Sequence, residues 1–302
     1  MIELETLATE QRNTQTYHID TLSTLDMVRL INEEDKKAAQ AVEAIVPSIA
    51  DAIDVIAGRL SQGGRLFYIG SGTSGRLGIL DAVECPPTYS TPPELVQGLI
   101  AGGYDAIFRA REGAEDSSDQ GQQDLAAKTI TEKDVVVGLS ASGRTPYVLG
   151  ALKYAVSVGA ATISVDCSPH ARIAQYAQID LCALVGPEVI TGSTRMKAGT
   201  AQKMILNMLS TGAMVRLGKV YGNLMVDVKA SNEKLKERAC RIVMTAAECS
   251  RSEAEQALMQ CHGHAKTAIV MIRTGLSAEE AGQQLIRHGG HIRRVLEEAD
   301  HD

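Results

Sequence analysis

Tryptophan is absent from this 302-residue chain, and only two residues are Phe, so with aromatic side chains at 3% in all its core cannot rest mainly on them. The 44% of hydrophobic residues must be mainly Leu, Ile, Val, Ala and Met, a mixture suited to helices packed on a parallel sheet. A basic excess is lacking too. The formal charge is −7 and the pI near 5.6, which argues against nucleic acid as a partner, because there is no basic excess to neutralise a row of phosphates. A bound phosphate should therefore be small and locally seated. No C-x-x-C pair occurs among Cys85, Cys167, Cys182, Cys240, Cys249 and Cys261. That excludes a zinc ribbon or a disulfide framework and points to a reducing, cytoplasmic setting. No apolar run approaches the roughly 20 residues of a membrane span, and the acidic start MIELETLATEQRN lacks a signal pattern. The chain is expected to be cytoplasmic, with no membrane partner.

What the chain does have is glycine and hydroxyl residues in two matched places. In GGRLFYIGSGTSGRLG (63–78) an apolar strand, Arg65 to Ile69, runs into Gly70, Gly72 and Gly75 interleaved with Ser71, Thr73 and Ser74, and a helix follows. Such a loop feeding a helix N-terminus is an anion seat. DVVVGL (134–139) repeats the design: the turn SASGRTP (Ser140 to Pro146) comes next, then a helix with Val148, Leu152 and Ala155. Each serine or threonine taken alone has capping the following helix as its plainer role. Five or more in two matched turns favour a phosphate seat.

Along the chain, residues 1–20 read as an extended polar arm. Helical spacing begins after Ser23, an N-cap, and resumes from Asp35, with Pro47 placed to kink the second helix. A short helix from Leu77 to Val83 should stop at Cys85-Pro86-Pro87, since proline donates no backbone hydrogen bond, leaving Glu84 at the stop. A second strand spans Leu95 to Ala101, a third Asp134 to Leu139, a fourth Ala161 to Val165 and a fifth Ile179 to Leu184, with a short helix between Pro169 and Ala177. This alternation implies a doubly wound, mostly parallel five-stranded sheet in an α/β (αβα) sandwich, its core at about 60–215. No strand signal follows the long helix carrying Met204 to Met214. From Ser231 the pattern is helical, with Ser252 and Ser277 as N-caps. The expected division is 1–230 and a small all-helical domain at 231–302.

Gly70, Gly72 and Gly75 satisfy G-x-G-x-x-G, so a dinucleotide site must be weighed. Its second requirement is an acid at the end of the second strand, for the ribose hydroxyls. Here that strand ends Leu99-Ile100-Ala101-Gly102-Gly103, and the nearest acid, Glu94, lies at its beginning. No cofactor is expected. His262 and His264 beside Cys261, and His288 with His291, lack a recognised ligand spacing, so no metal is expected either.

IGSGTSGRLG and LSASGRTPYV together resemble the paired phosphosugar-binding turns of the sugar isomerase (SIS) domain. GPEVITGSTRMKAGTAQKM resembles the signature shared by the N-acetylmuramic acid 6-phosphate etherases and the glucokinase regulatory protein. The likeness extends through LDAVECPPTY, AREGAEDS and NLMVDVKASNEKL, and the tail GLSAEEAGQQLIRHGGHIRRVLEE is similar to the small, ubiquitin-associated-like helical domain of the etherases. The resemblance implies elimination of D-lactate from a phosphorylated muramic sugar by a metal-free lyase, a small phosphosugar as ligand, and a homodimer. It implies Glu84 as the acid at the departing oxygen and Glu115 as the base at C2. It also implies Ser140, Ser142 and Thr145 with the Ala141 amide for the phosphate, and Ser71, Gly72, Thr73 and Ser74 on the sugar side. Glu84 at a helix end would have its pKa raised by the macrodipole, which suits an acid. Glu115 at a helix start is equally readable as a first-turn acid. Ser193 and Thr194, with Lys197, either receive the lactyl carboxylate or acetamide or cap the long helix, and Lys197 is also readable as a surface charge. A non-catalytic phosphosugar sensor is the alternative to the enzyme.

Overall fold

The structure, a computed structural model, describes residues 8–227, 233–299 and 301. The chain forms two compact units. The first comprises the residues up to Val83 with Glu94–Ser210, the second Glu84–Pro93 with the chain from Thr211 onward. The expected boundary at Ser231 lies outside the described residues.

In the first unit the arm is not extended. Its described part folds into three 3-10 turns, Ala8–Glu10, Thr14–Thr16 and Ile19–Thr21. Helix α1, Thr24–Glu43, starts at Ser23, whose hydroxyl accepts the Asp26 N–H, and runs through Asp35 without a break. Pro47 kinks nothing: it sits in the first turn of α2, Val46–Ser61, where its missing N–H costs no helical bond.

Strand β1, Leu66–Gly70, is buried at every residue, and α3, Gly72–Tyr89, follows. Then come β2, Val96–Ile100; α4, Asp105–Phe108; α5, Ser118–Ala126; and β3, Val135–Leu139. Helix α6, Pro146–Ser157, leads to β4, Ala161–Asp166, and β5, Ile179–Cys182, before α7, Lys197–Arg216. The expected helix between 169 and 177 is only a 3-10 turn, Ile173–Tyr176.

The expected stop at the prolines does not occur. Both lie inside α3, where they remove the N–H groups that would bond the Ala82 and Val83 carbonyls. Regular bonding resumes past them, with Ser90 N–H donating to Pro86 O at 3.0 Å.

All five strands are parallel, in the order β2-β1-β3-β4-β5. Strands buried on both faces explain the unbroken apolar runs LFYI and VVV. Because β1 lies between β2 and β3, chain order reverses at the β1/β3 junction, where open α/β sheets leave a crevice beyond the strand ends. Gly70 pairs with Leu139 across that junction. The two hydroxyl-glycine turns therefore leave the sheet side by side at one edge. On one face α5 and α6 meet so closely that a Cβ on Gly121 or Gly150 would fall 1.9 Å from the Tyr147 or Ser118 carbonyl oxygen.

The second unit holds a hairpin that sequence reading missed, β6, Val220–Tyr221, and β7, Leu224–Met225, joined through Gly222-Asn223. Five helices follow: α8, Glu233–Ala247; α9, Arg251–Gln260; α10, Ala265–Thr274; α11, Ala278–Arg287; and α12, Ile292–Ala299. Ala239, Val243, Ala254, Ala268, Ile269, Leu285 and Val295 form part of their common core. Ser277 caps α11 in a capping box with Glu280, as the sequence indicates. The cap of α9 is Ser250, with Glu253, and not Ser252.

Candidate active site

The β1 turn is tight because it has to be. A Cβ on Gly75 would lie 2.7 Å from Ile100 Cγ1 and 2.8 Å from Gly70 O. Helix α3 thus begins immediately beyond the strand, and its first-turn amides, from Gly72 onward, are the donors that a helix leaves without internal partners. The three hydroxyls go different ways. Ser71 Oγ donates to Glu115 Oε2 at 2.9 Å. Ser74, buried, donates to Gln202 Oε1 of α7 at 2.8 Å and so ties two helices together. Thr73 stays half-buried.

The β3 turn gathers its hydroxyls. Ser140 Oγ lies 2.8 Å from Thr145 Oγ1 and 3.5 Å from Ser142 Oγ. Thr145 precedes α6 but makes no side-chain capping bond, so its hydroxyl belongs to the cluster and not to the helix. Gly143 has φ +67°, and a Cβ there would meet Ala171 Cβ at 2.3 Å. The turn is thereby pressed against the chain that follows β4.

Glu115 is exposed, on a 3-10 turn, Ala114–Asp116, entered through Gly113 at φ 75°. It is not a first-turn acid of α5. Ser117 is that helix's N-cap, accepting the Gln120 N–H at 3.1 Å, and the first-turn acid is Asp119. Glu84 is also exposed. It lies in the body of α3 and within the second unit, not at a helix end, so the macrodipole argument for its acidity does not apply.

Ser193 and Thr194 occupy a half-buried turn before α7, in which Ser193 N–H donates to Ile190 O and Gly199 N–H to Thr194 O. They do not cap α7 with their hydroxyls. Glu188 does: Oε2 accepts the Lys197 N–H at 3.0 Å and Oε1 the Ala198 N–H at 2.9 Å. Burial outweighs those donors and raises the Glu188 carboxyl. Lys197 is not a surface charge. It is 1% exposed, and its Nζ donates to Glu34 Oε2 at 2.7 Å, an oxygen that also accepts from Asn13 Nδ2. Burial disfavours the charged Glu34, but Lys197, Lys37 and Asn13 together hold its carboxyl below the ordinary value. The Lys197 ammonium is therefore committed inside the protein.

Sequence reasoning missed several buried polar groups. Asp81 of α3 accepts from Asn207 Nδ2 at 3.1 Å and Ser210 Oγ at 3.0 Å, and burial raises it. Asp166, at the end of β4, is fully buried. A signal existed for Glu188: Met196, which has no capping group, stands just before α7, so the cap had to come from elsewhere. Among the described residues, no group of three or more His, Cys, Asp or Glu converges as a metal site, and no helix is long and apolar enough to cross a membrane.

Residues 48–156 match the glucokinase regulatory protein N-terminal SIS domain, 110–212 the SIS domain, and 222–267 the C-terminal lid domain of glucokinase regulatory protein. The N-acetylmuramic acid 6-phosphate etherase of Photorhabdus laumondii subsp. laumondii is 60% identical over 295 residues, covering 98% of each chain. The chain belongs to the N-acetylmuramic acid 6-phosphate etherase family. The etherase of Photobacterium profundum is 58% identical with the same coverage. Among solved structures, a phosphoheptose isomerase from Francisella tularensis is 16% identical, with a TM-score of 0.47, over 64% of this chain and 100% of that one.

In this member of the etherase family, two turns at one sheet edge offer hydroxyls and helix-start amides, which hold an anion without a cation. A carboxylate, Glu115, is steered onto the first turn by Ser71. One of its oxygens accepts that hydrogen bond.

Proposed function

We propose that this chain cleaves the D-lactyl ether of N-acetylmuramic acid 6-phosphate, giving N-acetylglucosamine 6-phosphate and D-lactate. The observation that carries the reading is Glu115 fixed by Ser71 at the crevice where the two turns leave the sheet. Full-length identity to named etherases supports the same substrate.

The chemistry follows from the substrate. An ether oxygen leaves poorly, but in the open-chain aldehyde the carbonyl acidifies the C2 proton. A base removes that proton, the C3–O bond breaks as the C2–C3 double bond forms, and an acid protonates the departing lactyl oxygen. Water then adds at C3 while C2 regains a proton, so the reaction is a carbon–oxygen lyase step followed by hydration. Glu115 is the C2 base and Glu84 the acid at the lactyl oxygen, each group worth roughly 10²–10⁴ in rate. Ser140, Ser142, Thr145 and the Ala141 amide seat the phosphate; Ser71, Gly72 and Thr73 face the sugar. Ser74 supports that side from its bond to α7, and Lys197 holds the loop that presents Ser193 and Thr194 to the lactyl or acetamide group. The helical region from about 231 onward is a separate domain.

The enzyme works in the cytoplasm as a homodimer. Leu25 and Val28 of α1, one turn apart, are 60% and 56% exposed, an apolar stripe that a second copy would cover. Incubation with the phosphorylated muramic sugar should release one D-lactate per product. A folded sample that releases none overturns the proposal. The regulatory-protein lid match at 222–267 favours one other reading, a phosphosugar sensor, which predicts binding of the same sugar without turnover.

A further inference from the structure

The phosphate turn is held from behind. The Ala141 carbonyl accepts two hydrogen bonds from the chain after β4, from Cys167 N–H at 3.1 Å and from Ser168 Oγ at 3.2 Å. Ser168 is fixed in its turn by Asp166, whose Oδ1 accepts the Ser168 N–H at 3.2 Å. A side-chain oxygen bonding the backbone two residues on is the Asx-turn arrangement. Asp166 is 0% and Ser168 2% exposed, so water does not compete for either bond.

The carboxyl is costly where it stands. Burial, and then the charge of Asp180 on the neighbouring strand, push Asp166 up to about 7. Asp180 itself accepts from Ser164 Oγ at 2.6 Å, and Cys182 pairs with Asp166 in the β4–β5 register, its thiol donating to Ser168 O at 3.5 Å. Strand pairing does not need an acid at that position, whereas the Ser168 bond needs an acceptor of that length.

What the bond accomplishes follows from peptide geometry. In a trans peptide the C=O and the next residue's N–H point in opposite directions. Pulling the Ala141 carbonyl toward Cys167 and Ser168 therefore aims the Ser142 N–H away from that segment, on a residue that is only half-buried. We propose that Asp166, acting through Ser168, is a positioning residue that fixes the Ala141–Ser142 peptide so that the Ser142 N–H donates to the phosphate of the substrate. This rests on the phosphosugar reading above and adds to it a donor, the Ser142 amide, together with the residues that aim it.

The test is direct binding by calorimetry, which needs no turnover, with inorganic phosphate and N-acetylglucosamine 6-phosphate as probes, accompanied by steady-state kinetics. Asp166→Asn keeps an acceptor oxygen and should bind both probes within about twofold of the parent. Asp166→Ala and Ser168→Ala should each weaken both probes by about tenfold, the worth of one good hydrogen bond. In the lactate assay they should raise KM and leave kcat within about twofold. Ser168→Ala removes only a hydroxyl and keeps the test intact if Asp166→Ala does not fold. Parent-like binding by folded Ser168→Ala, equal loss in Asp166→Asn and Asp166→Ala, or a fall in kcat at constant KM would each overturn the proposal. If the parent binds phosphate but releases no lactate, the etherase reading fails while the binding comparison still decides this one.

Discussion

Glu115 is held by one hydrogen bond from Ser71, and Glu84 lies exposed in the body of a helix, so each should be replaceable without loss of fold. Glu115→Gln should lower kcat by about 10²–10⁴ and abolish exchange of the C2 proton with solvent. Glu84→Gln should lower lactate release as far while retaining C2 exchange. The reverse pattern, read by NMR of the recovered sugar, would interchange the two roles. Asp166 gives a prediction about stability. Its folded value of about 7 lies above the ordinary aspartate value of 3.8, so between roughly pH 4 and 7 the native state binds the extra proton. Its contribution is greatest below that window and is lost as pH rises through 7, by a few kcal/mol at most. The urea midpoint of Asp166→Asn should therefore gain on that of the parent as pH rises from 5 to 8 and run parallel above that. A constant difference across the range would contradict the buried-acid account. None of this was visible in the sequence, where Asp166 is one of many acids. Only the β4–β5 pairing reveals that Asp180 and Cys182 crowd it.

At the scale of elements, what was legible was whatever periodicity or a glycine turn dictates. The runs LFYI and VVV, each ending in hydroxyls and glycine, placed β1 and β3 and the two turns that leave them side by side. The 3.6-residue spacing marked the C-terminal region as helical, and Ser277 was legible as the cap of α11. The errors share a cause: a local rule was overridden by a partner distant in the chain. Pro86 and Pro87 should end a helix, but α3 runs through them, and Ser90 N–H again bonds the Pro86 carbonyl. Ser193 and Thr194 were readable as caps or as ligand groups, and it is Glu188 that takes the α7 amides. The Gly222-Asn223 hairpin is the exception, a signal present in the sequence and passed over. The start of α7 is also where one substitution should do most harm. Lys197→Met removes the buried cation from Glu34 but leaves Lys37 and Asn13 on it, and should cost about 1–3 kcal/mol, whereas Lys37→Ala, half-exposed, should cost under about 1 kcal/mol. Equal losses for the two in denaturant melts would contradict the assignment of Lys197 to the interior.

For the whole molecule, the sequence's −7 charge and the proposed phosphate seat of hydroxyls and amides fit together: specificity for an anion would be local, since the protein's overall field does not attract it. Assembly is a separate matter. If the exposed α1 stripe is the contact between copies, Leu25→Asp with Val28→Asp should give a monomer by sedimentation, and an unchanged dimer would place the contact elsewhere. The central claim is elimination followed by rehydration, and its most direct test is the reaction run in D₂O containing ¹⁸O-labelled water, with mass spectrometry of the N-acetylglucosamine 6-phosphate formed. The account predicts one carbon-bound deuterium at C2 and one ¹⁸O at C3, with no ¹⁸O in the hydroxyl of the released lactate, the former ether oxygen. Lactate released with no deuterium at C2 would mean that the ether is broken without removal of the C2 proton, and would contradict it.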